Sequence, residues 1–382
     1  MAKVIIAGDL FPTESNIEYF KNKDIKAIFG PQIVRLFNEA DYCVCNLEGT
    51  LCDDDTKPIS KDGPNLRAPV ETIVGIAELG IDSVSLANNH SSDYGTEGFA
   101  QTLMALERLN ISSFGAGRNI HSINSYVIAE VDGIKIGFYG VSETVFNIPD
   151  EITAGANLYD EYRVCKEILD LKKECSYVIV LYHGGIEHFL FPTDEIRKRF
   201  HRMADSGADV VLAQHTHCIG EEEIYNGAYL LYGQGNFCLN FRPKPNQWNL
   251  FGLFLEVNIT KEGLTIYKHM VKRNQVGTSY DNEQDFTMFL ERSERVQRGD
   301  SMEKEFSSFA DDRIIPYLEA FRGKNLIDKI IKRIMPKYYR MYLKSRFTKQ
   351  QLLKILNALR SDEFGAIAIK GVENLLNKDH AS

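Results

Sequence analysis

The chain has 382 residues, with 44 Lys plus Arg against 53 Asp plus Glu, a formal charge of −9 and a 44% apolar composition. These values exclude disordered, collagen-like and disulfide-stapled chains, and they fit a globular protein long enough for two or three domains. A net acidic chain is a poor coat for nucleic acid, since neutralising phosphates needs clustered positive charge, and no nucleic-acid partner is expected.

The opening MAKVIIAGDLFP passes directly into a strand-like run too short for a signal-peptide core. Seven scattered cysteines (Cys43, Cys45, Cys52, Cys165, Cys175, Cys218, Cys238) include no C-x-x-C pair and read as reduced thiols. No apolar stretch reaches the roughly 20 residues that span a bilayer. The expected location is the cytoplasm.

Apolar β-branched or aromatic runs alternate with helix-period segments as far as about residue 215, the pattern of an α/β layered fold. Strands are predicted at 4–8, 42–47, 82–87, 126–131, 135–141, 177–182 and 210–213. Asp132-Gly133 and Asn226-Gly227 each separate two apolar runs and predict tight hairpins. Beyond Gly220 the reading is mostly strand, at 228–232, 252–259 and 264–271. After about residue 280 it becomes helix alone, punctuated by Pro316, Gly323 and Pro336. The domain division expected is therefore 1–280 and a helical appendage at 281–382.

Polar residues of metal-binding type fall at the C-terminal ends of five predicted strands. Asp9 follows VIIAG, Asn46 and Glu48 follow YCVC, Asn88-Asn89-His90 follow DSVSL, His183 follows YVIVLY, and His215 and His217 follow DVVLAQ. In open α/β sheets that rim is where ligands bind. One such residue alone is more often a helix cap or a structural histidine. Two carboxylates, an Asn and three His together make a mixed oxygen and nitrogen set suited to Mn, Fe or Zn. His215-Thr-His217 can serve two adjacent ions, so one or two divalent ions are expected. P-loop, Rossmann and nucleophile-elbow patterns are absent, and Gly115-Ala-Gly117 reads as a turn.

The strings AGDLF (7–11), CNLEGTL (45–51), LANNHSSDYGTEG (86–98), GAG (115–117), LYHGGIEHF (181–189), GADVVLAQHTHCIG (207–220) and LYGQGNF (231–237) occur in this order. Together they resemble the CapA (PgsA) family of capsule and poly-γ-glutamate biosynthesis proteins, within the calcineurin-like metallophosphoesterase superfamily. The resemblance covers roughly 3–271. It implies a four-layer α/β/β/α sandwich with a helical C-terminal extension. It also implies that Glu48 bridges two ions, that Asp9 and His217 hold the first, and that Asn89, His183 and His215 hold the second. His90 would be the outer-sphere histidine that protonates a leaving group or binds an oxyanion. The superfamily's Asp-x-His motif is altered here, because Phe11 stands two residues after Asp9, which thins the first site.

Asp93 and Gly95 read as supports of the His90 loop. Arg67, Glu187, His188 and Asn236 are the substrate-contact candidates, against the plainer readings of a surface salt bridge for Arg67 and an Asx-turn for Asn236. The resemblance implies a metal-dependent hydrolase acting on a phosphoester or amide of an anionic surface polymer or its precursor, with metal-bound hydroxide as the attacking group. Two alternatives stay open: a polymer-binding or assembly component with a structural metal, and metal-assisted amide transfer or epimerisation. Between Lys324 and Lys354 ten basic residues face one acid, Asp328, and interleave with Ile and Tyr. That stretch either lies on an anionic membrane surface or partner, making the protein peripheral, or packs its apolar stripe inward.

Overall fold

The computed structural model describes residues 1–144, 147–240, 250–323 and 325–360, and the positions Ile367, Ile369 and Val372. Lys324, the first residue of the basic stretch, lies outside them.

Two sheets carry the architecture. The first runs Thr278–Tyr280, Leu264–Arg273, Phe251–Ile259, Ala2–Leu10, Tyr42–Leu47, Ser83–Ser85 and Ser112–Phe114, with Asn236–Cys238 also pairing Ala2–Leu10. The second runs Glu222–Tyr225, Ala228–Leu231, Val210–Gln214, Tyr177–His183, Ile134–Ser142 and Tyr126–Val131. Alternation along each strand divides the apolar side chains among three cores. Ile5 and Ala7 join helices Ile25–Asn38, Ile73–Glu78 and Gly95–Arg108 on the outer face of the first sheet. Val4 and Ile6 meet Phe138, Ile179 and Leu181 between the sheets. Val178, Val180 and Tyr182 pack under helices Glu161–Glu174 and Asp194–Asp205 on the far side. The result is the expected four-layer α/β/β/α sandwich followed by C-terminal helices. Each fully buried Ile, Leu or Phe contributes roughly 1.5–3 kcal/mol by leaving water.

Both predicted hairpins form. Asp132 (φ 50°) and Gly133 (φ 70°) join Tyr126–Val131 to Ile134–Ser142, and Asn226 (φ 50°) and Gly227 (φ 88°) join Glu222–Tyr225 to Ala228–Leu231. Two consecutive positive φ angles match the right-handed strand twist, which is why Asp-Gly and Asn-Gly close these loops.

The chain divides into two compact units, Met1–Phe306 and Ser307–Ser382. This boundary is later than the change of pattern near 280. Helix Thr287–Gln297 belongs to the first unit, because Phe289 enters the inter-sheet core and Val296 the outer one. Arg292 also ion-pairs with Glu221 at 2.7 Å. A helix-only sequence looks the same whether it packs on a sheet or stands apart. All seven cysteines are unpaired, and among the described residues no helix is long and apolar enough to cross a membrane.

Candidate metal centre

Register brings the strand-end residues together. Asp9 stands opposite Asn46 on one side and Asn236 on the other. His183 stands opposite Gln214, so the strand that ends in His183 delivers it beside the loop carrying His215 and His217. Both histidines of that loop have left-handed backbones (His215 φ 84°, His217 φ 54°), as does His188 (φ 63°). Such conformations cost a non-glycine residue about 1–3 kcal/mol and persist where the surroundings enforce them.

Three overlapping trios form one cluster, each with its ligand atoms within 4.8 Å of one another: Glu48–His183–His215, Asp9–Glu48–His217 and Glu187–His215–His217. His183 Nε2 lies 3.6 Å from Glu48 Oε1 and 2.8 Å from Asn89 Oδ1. His217 Nε2 is 4.0 Å from the same Glu48 oxygen, and its Nδ1 is 3.5 Å from Asp9 Oδ2. The His183 and His215 ring centroids are 4.9 Å apart.

The cluster is short of positive charge and of hydrogen-bond donors. Both Glu48 oxygens and His215 Nδ1 are buried without a hydrogen-bond partner, an expensive condition for buried polar atoms. Burial and the neighbouring Asp9 carboxylate hold Glu48 well above the usual carboxylate range. Burial likewise raises Asp9, but contact with His217 and the nearby His183 overrides it and brings Asp9 down to about 2. Burial would lower His217, but the Glu48 and Asp9 carboxylates outweigh it and push this histidine up to about 10. His183 falls well below its ordinary value and His215 to about 4, through burial and mutual repulsion with the other imidazoles. Two carboxylates thus draw on the single protonated imidazole of His217. Divalent ions taking mixed nitrogen and oxygen donors fit this set, and would satisfy the partnerless atoms of Glu48 and His215.

A second ring of contacts orients these side chains. Asn46 Nδ2 donates to Asp9 Oδ1 at 2.8 Å and stands 3.3 Å from His183 Nδ1. Asn88 Nδ2 donates to Asn46 Oδ1 (3.0 Å) and to the Leu47 carbonyl (2.9 Å), while its Oδ1 accepts from the His90 amide (3.0 Å). Asn236 Oδ1 bonds His217 Nδ1 at 2.8 Å.

His90 sits on Asp93, Nδ1 to Oδ2 at 2.7 Å. The ammonium of Lys61, its side chain 3% exposed, bonds the other Asp93 oxygen and approaches His90 Nδ1 at 3.1 Å. Asp93 also accepts from the Leu66 amide, so it ties the 53–66 loop to His90 as the supporting role expected of it requires. Burial lowers His90, and the Asp93 carboxylate opposes that.

The substrate-contact candidates separate. Glu187, His188 and Asn236 gather at the cluster: Glu187 is exposed but shares a trio with His215 and His217, and the His188 ring centroid is 6.0 Å from that of His217. Arg67 is engaged elsewhere, at 2.7 Å from Asp54 and 3.1 Å from the Asp53 carbonyl, with its guanidinium 6.0 Å from the Tyr94 ring. That is the plainer surface salt bridge. Phe11 is fully buried, its ring against Gly49, where a Cβ would come within 2.4 Å of it. Gly49, with no Cβ, makes room for that aromatic ring. Sequence reasoning missed Lys61, for which PISKDGPN carries no local signal, and underrated Asn46, which YCVCN places on the rim.

Comparison with known proteins identifies a family. The one described as "Bacterial capsule synthesis protein PGA_cap" matches residues 3–240. The chain is 28% identical over 210 residues to the PGA biosynthesis protein CapA of Bacillus subtilis (strain 168), covering 53% of this chain and 54% of that protein. It is 28% identical over 206 residues to the capsule biosynthesis protein CapA of Bacillus anthracis, covering 52% of this chain and 50% of that one. The chain thus spans about half the length of the curated relatives it matches. Among solved structures, a hypothetical protein from Thermus thermophilus aligns with a TM-score of 0.46 at 16% identity, over 71% of this chain and 100% of that one. A 5'-nucleotidase precursor from the same organism aligns at 0.44 and 14%, over 72% and 54%.

Proposed function

The chain belongs to the bacterial capsule synthesis protein family, and from that premise we propose that it is a metal-dependent hydrolase-like enzyme of anionic surface-polymer biosynthesis. Its substrate would be a phosphoester or amide of the polymer or its precursor. The observation that carries the reading is the buried Asp9–Glu48–His183–His215–His217 cluster, with partnerless Glu48 oxygens at its centre.

In this reading Asp9, Glu48 and His217 hold one divalent ion, and Glu48, Asn89, His183 and His215 the other. When bound, such ions activate water and offset charge developing on a phosphoryl or carbonyl group under attack. Asp93 fixes the His90 ring through Nδ1, leaving Nε2 as the atom that passes a proton to the leaving group. Glu187 and His188 line the approach and set which polymer end fits. Metal analysis alongside turnover on phosphoester and amide panels tests this. His215→Ala loses metal and activity together, whereas His90→Ala keeps metal and loses about 10²-fold or more in kcat. Full turnover in both variants would remove the assignment.

A second reading, a polymer-binding component with a single structural ion, is favoured by Phe11. Its expected signature is one ion per chain, lost with His215→Ala but retained in Asp9→Ala, and no turnover on any panel member.

A further inference from the structure

The C-terminal unit carries a helix that leaves most of its apolar side chains in water. In helix Leu326–Ile334 the one buried residue is polar: Asp328 accepts from Arg322 and the Asn325 amide, while Lys332, itself exposed, pairs with Glu319 at 2.8 Å. The apolar side faces water, with Leu326 72%, Ile327 60%, Ile330 46% and Ile334 70% exposed. These four positions fall at i, i+1, i+4 and i+8, one stripe at helical spacing. Of the helix's aliphatic residues, Ile331 is the one packed against the unit's small core of Leu318, Tyr339 and Leu343. The next helices repeat the arrangement, exposing Tyr338 and Met341 in one and Leu352, Leu353, Leu356 and Leu359 in the other.

The rim of this stripe is basic. Lys329, Arg333 and Lys337 are exposed and form no ion pair among the described residues. Lys329, Lys332 and Arg333 also line a cavity of about 320 Å³ with Asp328 and Tyr339. An apolar stripe bordered by unpaired cations matches the interface of an anionic bilayer, which offers acyl chains for the stripe and headgroup charge for the rim.

We propose that residues 326–359 form a peripheral membrane-binding surface selective for anionic phospholipid. It lies outside the stretch matched by the family, and it stands whatever reaction the metal centre performs. The test is co-sedimentation of the full-length protein with vesicles of phosphatidylcholine alone or mixed with phosphatidylglycerol. The expected result is binding to the mixed vesicles only, weakened by salt, and reduced at least roughly tenfold by Ile330→Glu/Ile334→Glu and by Lys329→Glu/Arg333→Glu. Metal content and far-UV circular dichroism of each variant report whether it folds, and Ile330→Gln/Ile334→Gln is the milder apolar pair. Three results would overturn the proposal: no vesicle binding, equal binding to both lipids, or loss with the cationic pair alone, which would mean capture of any polyanion. A dimer abolished by Ile330→Glu/Ile334→Glu in the absence of vesicle binding would instead give the stripe to a second copy of the chain.

Discussion

At the residue scale the centre is a balance between buried carboxylates that draw positive charge and imidazoles that supply it. In the metal-free protein that charge is the proton on His217. A histidine raised to about 10 contributes stability fully present below its unfolded pKa of about 6.5 and lost as pH rises toward 10. Glu48, also raised, contributes in the same sense: its stability is present below about 4.5 and lost at higher pH. Asp9, lowered to about 2, matters only when pH falls below about 4. The lowered His183 and His215 act in the opposite sense up to about pH 6.5, so the melting temperature of chelated protein is expected to fall between pH 7 and pH 10. Saturating divalent metal should raise it by roughly 5–10 °C at a hundredfold excess over Kd, and more at high pH, because binding displaces the proton. Thermal scans with and without chelator check this; an unchanged slope after metal addition would mean that the ion binds elsewhere. Asp93→Asn probes the adjoining Lys61–Asp93–His90 group. Removing the charge that compensates buried Lys61 is expected to cost about 3 kcal/mol in urea unfolding and to lower kcat with metal content unchanged. The dense polar contacts here also explain what the sequence conveyed. Asp9, Glu48 and the histidines announce themselves by type and strand-end position, while Lys61 reaches His90 across 29 residues of chain.

At the element scale, the loop bearing His215 and His217 is held from behind by helix Thr287–Gln297. Arg292 pairs with fully buried Glu221 and donates to the Ile219 carbonyl at 3.2 Å. Ser293 Oγ accepts from the Glu222 amide at 3.0 Å. Burial holds Glu221 up at about 7 despite that pairing. Arg292→Ala leaves a buried carboxylate that can escape its cost only by protonation. The variant is expected to lose about 2–3 kcal/mol at pH 8 and less at pH 6, with weaker metal binding because the left-handed loop loses its clamp. Denaturant unfolding at the two pH values and metal titration measure both effects. The hairpins at Asp132-Gly133 and Asn226-Gly227 were legible in advance because turn chemistry is local. That helix Thr287–Gln297 packs on the sheet, rather than joining the helices after it, was not legible. Amphipathic spacing marks a face to be buried but not the partner that buries it.

At the scale of the whole molecule, the proposed ligands all fall in the unit Met1–Phe306, while the exposed apolar stripe belongs to Ser307–Ser382. Phe306 still contacts the Phe189 ring at 5.8 Å between centroids, so a chain ending at Phe306 keeps that packing. Such a truncated protein is expected to bind the same number of ions per chain as the full-length protein, and to have lost its affinity for anionic vesicles. Metal analysis and co-sedimentation on one preparation check both, and a truncation that cannot retain metal would join the two units functionally. The sequence by itself determined the layered α/β order, the tight hairpins, the family strings and the rim of acids, amides and histidines, because periodicity and turn chemistry are written over short stretches of chain. Only the tertiary structure decided which of those rim residues converge, that Arg67 pairs with Asp54, that Phe11 is buried against Gly49, and that helix Leu326–Ile334 leaves Ile327, Ile330 and Ile334 exposed while Ile331 packs inward. The first and third depend on strands and loops brought together from distant parts of the chain, and in all four burial and packing, not local pattern, set what each side chain meets.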